Sequence, residues 1–152
     1  MDIQGKHVCD SATEQVQIIL PKDINGYDRL FGGRLMEWID VLAAVVSRRH
    51  SNRNVTTVAV DNLTFKAAAY VNSTIVLSGR ITYVGRTSME VRVDTYVEAL
   101  DGSRSLINTA YLVMIALDED ERPTPVPPLI LDTDEERAGY EAGKARTAHR
   151  KK

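Results

Sequence analysis

The segment Asn25-Gly26-Tyr27-Asp28-Arg29-Leu30-Phe31-Gly32-Gly33 runs straight into a helical pattern. Backbone N–H groups at a helix start are unpaired and carry partial positive charge. Glycines there allow another group to approach closely. Gly32 and Gly33 at such a start could hold a carbonyl oxygen as it gains negative charge; equally, they could do no more than permit a tight turn. Asp40 follows about two turns inside the helix, with Met36, Ala43 and Ala44 on its face and Glu37 and Ser47 nearby. A carboxylate among small apolar residues is costly without a partner or a task. Two readings stand: an Asp satisfied by a hydrogen bond across a subunit contact, or a base or nucleophile whose pKa burial raises.

Gly85-Arg86-Thr87-Ser88 is a turn with a cation and two hydroxyls. These groups suit a phosphate or a pantetheine amide, and they also suit an ordinary hairpin. Thr56 and Thr57, at a strand start, read first as structural; Thr57 and Gly32 are kept as candidates for substrate contact. Histidine gives no catalytic case: His7 and His149 lie near the ends and His50 at a helix terminus. No metal-ligand spacing, Gly-x-Ser-x-Gly elbow, P-loop or Rossmann fingerprint is present, which argues against a metal site and a Ser-His-Asp triad.

The elements that must position these groups follow from periodicity. Val16 to Leu20 reads as a short strand before Pro21, and Asp23 to Gly33 as a loop. Leu35, Ile39, Leu42 and Val46 predict a helix over 34–50, apolar nearly all round and therefore buried. Arg48, Arg49 and His50 read as cations at its C-terminal end. Strands are expected over 57–65, 74–84, 88–100 and 104–117. In the third, Met89, Val91, Val93 and Val97 alternate with Glu90, Arg92, Asp94 and Glu98, which predicts one buried and one wet face. Asp101-Gly102 marks a hairpin. Four of the five prolines fall in 122–128, an extended stretch. A short, charged, weakly held helix is expected over 132–145, and the basic end from Lys144 to Lys152 as a solvated tail.

The 152 residues suit one domain: a flexible stretch over 1–13, the folded unit over 14–130, and a helical and basic tail over 131–152. A net charge of -2, from 19 basic and 21 acidic residues, gives no reason to expect nucleic acid or a membrane surface as partner. The lone Cys9 and the absence of an apolar signal core or a long apolar span fit a cytoplasmic protein. One helix with about four long strands implies a sheet curled around it. The exposed sheet edges that remain imply at least a dimer.

Together the blocks resemble the hot-dog acyl-CoA thioesterases of the YciA and cytosolic acyl-CoA hydrolase type. They are Asn25 through Gly33, Arg34-Leu35-Met36-Glu37-Trp38-Ile39-Asp40, Val58-Ala59-Val60-Asp61 with Phe65, Gly85-Arg86-Thr87-Ser88-Met89-Glu90-Val91, and Ala116-Leu117-Asp118-Glu119 followed by Arg122-Pro123 and Val126-Pro127. The resemblance implies an α+β hot-dog fold, with an antiparallel sheet around one long helix, in a dimer and commonly a trimer of dimers. It implies hydrolysis of acyl-CoA, with coenzyme A only as part of substrate and product and no separate cofactor. It implies that Asp40 and Asn25 meet from different subunits, with Asp40 as base or nucleophile and the amides near Gly33 on the thioester oxygen. Gly85, Arg86, Thr87 and Ser88 would line the CoA arm. Two departures bear on substrate preference: Asp28 stands where the family often has Gly, and Ala67-Ala68-Ala69-Tyr70-Val71-Asn72-Ser73 replaces a Pro-containing turn. A non-catalytic acyl-CoA or nucleotide binder on the same fold is the rival reading. A hydratase is disfavoured because no histidine lies between Gly33 and Arg49.

Overall fold

The computed structural model describes residues 3–61 and 65–151. The apolar stripe of α2 (Gly32–Ser51) buries Leu35, Trp38, Ile39, Leu42, Ala43 and Val46. Against it lie the inward residues of β4 (Thr74–Val84), β5 (Ser88–Glu98) and β6 (Arg104–Leu117), among them Ile75, Leu77, Met89, Val91, Leu112 and Met114. Period-two alternation on long strands and period-3.6 on one helix leave a single way to close a core: the sheet curls over the helix. This is the hot-dog arrangement that the resemblance implied.

The sheet is antiparallel, with strand order β2-β4-β5-β6-β3, so β2 (Thr13–Ile18) and β3 (Asn54–Asp61) are its edges. The strand expected over 57–65 begins earlier, at Asn54; residues 62–64 lie outside the described residues. A bulge interrupts the β3–β6 register between Thr57 and Ala59.

Three elements differ from expectation. The N-terminal stretch carries β1 (Lys6–His7), parallel to β7 (Leu129–Ile130), and the single turn α1 (Val8–Ser11). His50 is not a cation on the helix end. It is fully buried, with Nε2 against the Pro127 carbonyl at 2.8 Å, and burial moves its pKa down. The last helix, α3 (Asp134–Arg150), runs past 145 and takes in most of the basic tail. Thr133 caps it by accepting from the Glu136 amide at 3.0 Å, and three acidic residues occupy its first turn. It lies on the face of β5 expected to be wet and covers Glu90, which is 2% exposed; Asp94, 3% exposed, is held there by Arg80, Arg92 and Thr109.

Candidate active site

The loop before α2 is fixed by Asp23, a residue that no pattern in the sequence singles out. Asp23 is buried; its Oδ2 accepts from the Leu20 amide at 2.9 Å and its Oδ1 lies 3.2 Å from Arg34 Nε. Its carbonyl accepts from the Phe31 amide at 2.9 Å. Asp23 thus ties both ends of the loop to the first turn of α2. A buried carboxylate held by an arginine and a backbone N–H is costly to disturb, but a loop aspartate carries no periodic signal that would reveal it.

Within the loop, Asn25 Oδ1 accepts from the Tyr27 amide at 2.9 Å and the Arg29 amide at 3.3 Å. That Asx turn fixes the side-chain carbonyl and leaves the carboxamide N–H group for another partner. Asp28 has φ 60, the left-handed region that favours glycine. A glycine would adopt this conformation without strain, and Asp is among the side chains that tolerate it. Asp28 is exposed.

At the start of α2, the amides of Arg34 and Leu35 donate to the Phe31 carbonyl at 3.0 and 3.1 Å. No side chain caps the helix, and the amides of Gly32 and Gly33 have no acceptor among the described residues. A Cβ on Gly33 would come within 2.6 Å of the Phe31 ring, so glycine allows the close approach there. Asn25 and Gly32 line one groove of about 400 Å³ with Phe65, Lys66 and Ala67.

Asp40 is half-buried on the side of α2 facing β3. Its Oδ1 accepts a 2.6 Å hydrogen bond from Thr57 Oγ1, which also lies 3.4 Å from Met114 Sδ. Oδ2 accepts none among the described residues. The bulge follows directly after Thr57, and bulges re-aim the side chains beside them. Thr57, expected first to be structural, is therefore the residue that orients the candidate acid. Seven residues separate Gly33 from Asp40, an axial rise of about 10 Å.

The turn Gly85–Ser88 stands at the end of β4. Thr57 pairs with Met114, Met114 with Met89, and Met89 with Val84, so the turn and Thr57 share one end of the sheet. Two interstrand steps place Met89 roughly 10 Å from Thr57. The Gly85 amide donates to the Ser88 carbonyl at 2.9 Å. The carbonyls of Arg86 and Thr87 accept from the Val126 and Ala116 amides at 2.9 and 3.1 Å. The exposed Arg86 guanidinium has no partner among the described residues.

The model of the thioesterase superfamily matches residues 27–100. The uncharacterized acyl-CoA thioester hydrolase YkhA of Bacillus subtilis is 35% identical over 84% of this chain and 74% of its own length. The chain belongs to the thioesterase superfamily. Among solved structures, this superfamily member is similar to an apo-hexameric acyl-CoA thioesterase, with 39% identity and a TM-score of 0.93 over 98% of this chain and 96% of the other. It is also similar to the acyl-CoA hydrolase of Staphylococcus aureus in complex with butyryl coenzyme A, coenzyme A and coenzyme A disulfide, at 28% identity and a TM-score of 0.91, covering 96% and 90%. That enzyme has also been solved with an asparagine, an aspartate and a threonine singly replaced by alanine. Those three positions have the order and spacing of Asn25, Asp40 and Thr57 here.

Among the described residues of this thioesterase-superfamily chain, no helix is long and apolar enough to cross a membrane.

Proposed function

We propose that the protein hydrolyses acyl-CoA thioesters to a carboxylic acid and free CoA, at sites each built from two subunits. The observation that carries this is the bond from Thr57 to Asp40 Oδ1, which leaves Oδ2 open beside the free edge of β3. In this reading Oδ2 takes a proton from water as the water oxygen attacks the thioester carbon. The carbonyl oxygen then bears negative charge against the amides of Gly32 and Gly33. The C–S bond breaks, and the leaving thiolate takes back the proton held on Asp40 to depart as CoA. Direct attack by Asp40, giving an anhydride that water then cleaves, uses the same groups.

The 10 Å separation along α2 is the reason the amides and Asn25 come from a partner chain. The surface supports such pairing. Val41, on α2, is 53% exposed, and Val58 and Val60, on edge strand β3, are 51% and 41% exposed. A long edge strand with apolar side chains calls for cover, and a second β3 across a twofold axis supplies it. A trimer of such dimers is the assembly proposed, which gives six chains, the number in the hexameric structure it resembles. Arg86, Thr87 and Ser88 take the CoA arm, with the unpartnered guanidinium facing phosphate. Coenzyme A enters with the substrate, and no other cofactor is needed. The exposed single Cys9 agrees with work in the reducing cytoplasm.

Thiol release from a panel of acyl-CoAs tests the reading. Wild type should turn over, and Asp40→Ala should lose activity by about 10²-fold or more, the scale of a proton-transfer contribution. Tight binding of every ester with no turnover would leave the binding-only alternative in its place.

A further inference from the structure

Helix α3 contributes almost nothing to the core: the buried apolar cluster has none of its residues, and only Tyr140 packs against it from the side. Yet it is held closely: Glu135 lies 3.9 Å from Arg80 and Arg150 pairs with Asp61 on β3, and the contacts between these two gather at the root of one hairpin. The Tyr140 ring lies 4.8 Å from that of Tyr83, and its hydroxyl is 3.5 Å from the Val84 carbonyl. Gly143 is buried where a Cβ would meet Glu90 Oε1 and Tyr83 Cβ, each at 2.7 Å, so the helix touches both strands there. Arg146 donates from Nε and Nη2 to the two oxygens of Glu90, at 2.9 and 2.7 Å, and stacks 3.8 Å over the Tyr111 ring. Thr82 Oγ1 completes the Glu90 site at 2.6 Å.

These partners, Thr82 to Val84 and Glu90, flank Gly85–Ser88 on both sides. The turn itself is held by the Val126 and Ala116 amides, which donate to its carbonyls. A bidentate arginine on a buried carboxylate is geometrically specific, more so than apolar packing. A charged helix whose Tyr140, Gly143 and Arg146 grip the root of that hairpin, outside the core, has little to do for the core and much to do for that turn.

We infer that α3, through Tyr140, Gly143 and Arg146, is a positioning element for the CoA-binding turn Gly85–Ser88. It sets affinity for the CoA arm and not the rate of thioester cleavage. The inference rests on the proposed assignment of that turn to CoA. Loosening the clasp lets the turn sample other conformations, and CoA binding then has to reorder it.

The test uses the full chain with Arg146→Met combined with Glu90→Gln, which removes the ion pair without stranding a buried charge. Tyr140→Ala, a milder lesion, serves as the second variant. Calorimetry gives the Kd of CoA itself. Kinetics are compared on an acyl-CoA and on the same acyl group carried by N-acetylcysteamine, which lacks the nucleotide and most of the arm. The expected result is a Kd for CoA and a KM for acyl-CoA raised about ten-fold. The kcat should stay within about two-fold and the truncated thioester be unaffected. Unchanged CoA affinity in a folded variant with a melted α3 overturns the inference, as does an equal loss on both thioesters. If CoA affinity falls as stated but wild type hydrolyses no acyl-CoA, the clasp stands and the proposed reaction falls. If wild type binds no CoA, both fall.

Discussion

Thr57 Oγ1 donates to Asp40 Oδ1 at 2.6 Å, joining the edge strand β3 to the central helix. The bond leaves one oxygen of Asp40 bound and the other open. Thr57→Val, nearly isosteric and without the hydroxyl, should lower kcat about ten-fold or more, the scale of a hydrogen bond to a charged group. Thr57→Ser should keep most of the activity. Thiol-release kinetics on the two variants decide it; equal rates for Val and Ser would remove the hydroxyl from the mechanism.

Edge strand β3 carries a second expectation. Val60→Glu places a charge on an apolar surface that pairing would bury, and an unpaired buried charge costs several kcal/mol. Light scattering should show the mass falling toward that of a single chain, with turnover lost in parallel. A variant that stays fully assembled and active would place the interface elsewhere.

The two structured histidines near the N-terminal sheet give opposite pH effects. His50 is buried with Nε2 on the Pro127 carbonyl and Nδ1 without a partner among the described residues, and burial holds its pKa below the usual 6.5. The unfolded chain therefore takes up a proton near pH 6.5 that the native chain refuses. The stability due to His50 is full above that pH and declines as pH falls below it. His7 is the reverse: its bond to Asp132 raises its pKa, so its contribution is present below pH 6.5 and fades as pH rises through the raised value. Melting temperatures between pH 7.5 and 5.5 should fall with acid in wild type. The fall should be shallower in His50→Gln and steeper in His7→Gln.

What the sequence made legible was set by periodicity. The stripe Leu35, Ile39, Leu42, Val46 and the alternation on β5 each admit one element type, and β4 and β6 have the bounds expected for them. Polar burial was not legible. Glu90 and Asp94 alternate with valines as solvated residues do, and only the fold shows Arg146 of α3 above Glu90 and Arg80, Arg92 and Thr109 around Asp94. His50 reads as one of three end-of-helix cations until the chain around Pro127 closes over it. Asn25 and Asp40 were picked out by residue type and by resemblance, whereas Asp23 has neither signal. Nothing in the spacing shows that it ties the loop to Arg34.

The central claim is that one site takes Asp40 from one subunit and Asn25 from another. Co-expression of Asp40→Ala and Asn25→Ala chains with different tags tests it most directly. In a twofold dimer, each mixed pair holds one site with both groups intact and one with neither. Purified mixed dimers should therefore recover about half the wild-type turnover, and a random mixture about one quarter, although each variant alone is inactive. Mixed dimers no more active than the two variants alone would contradict a site shared between subunits.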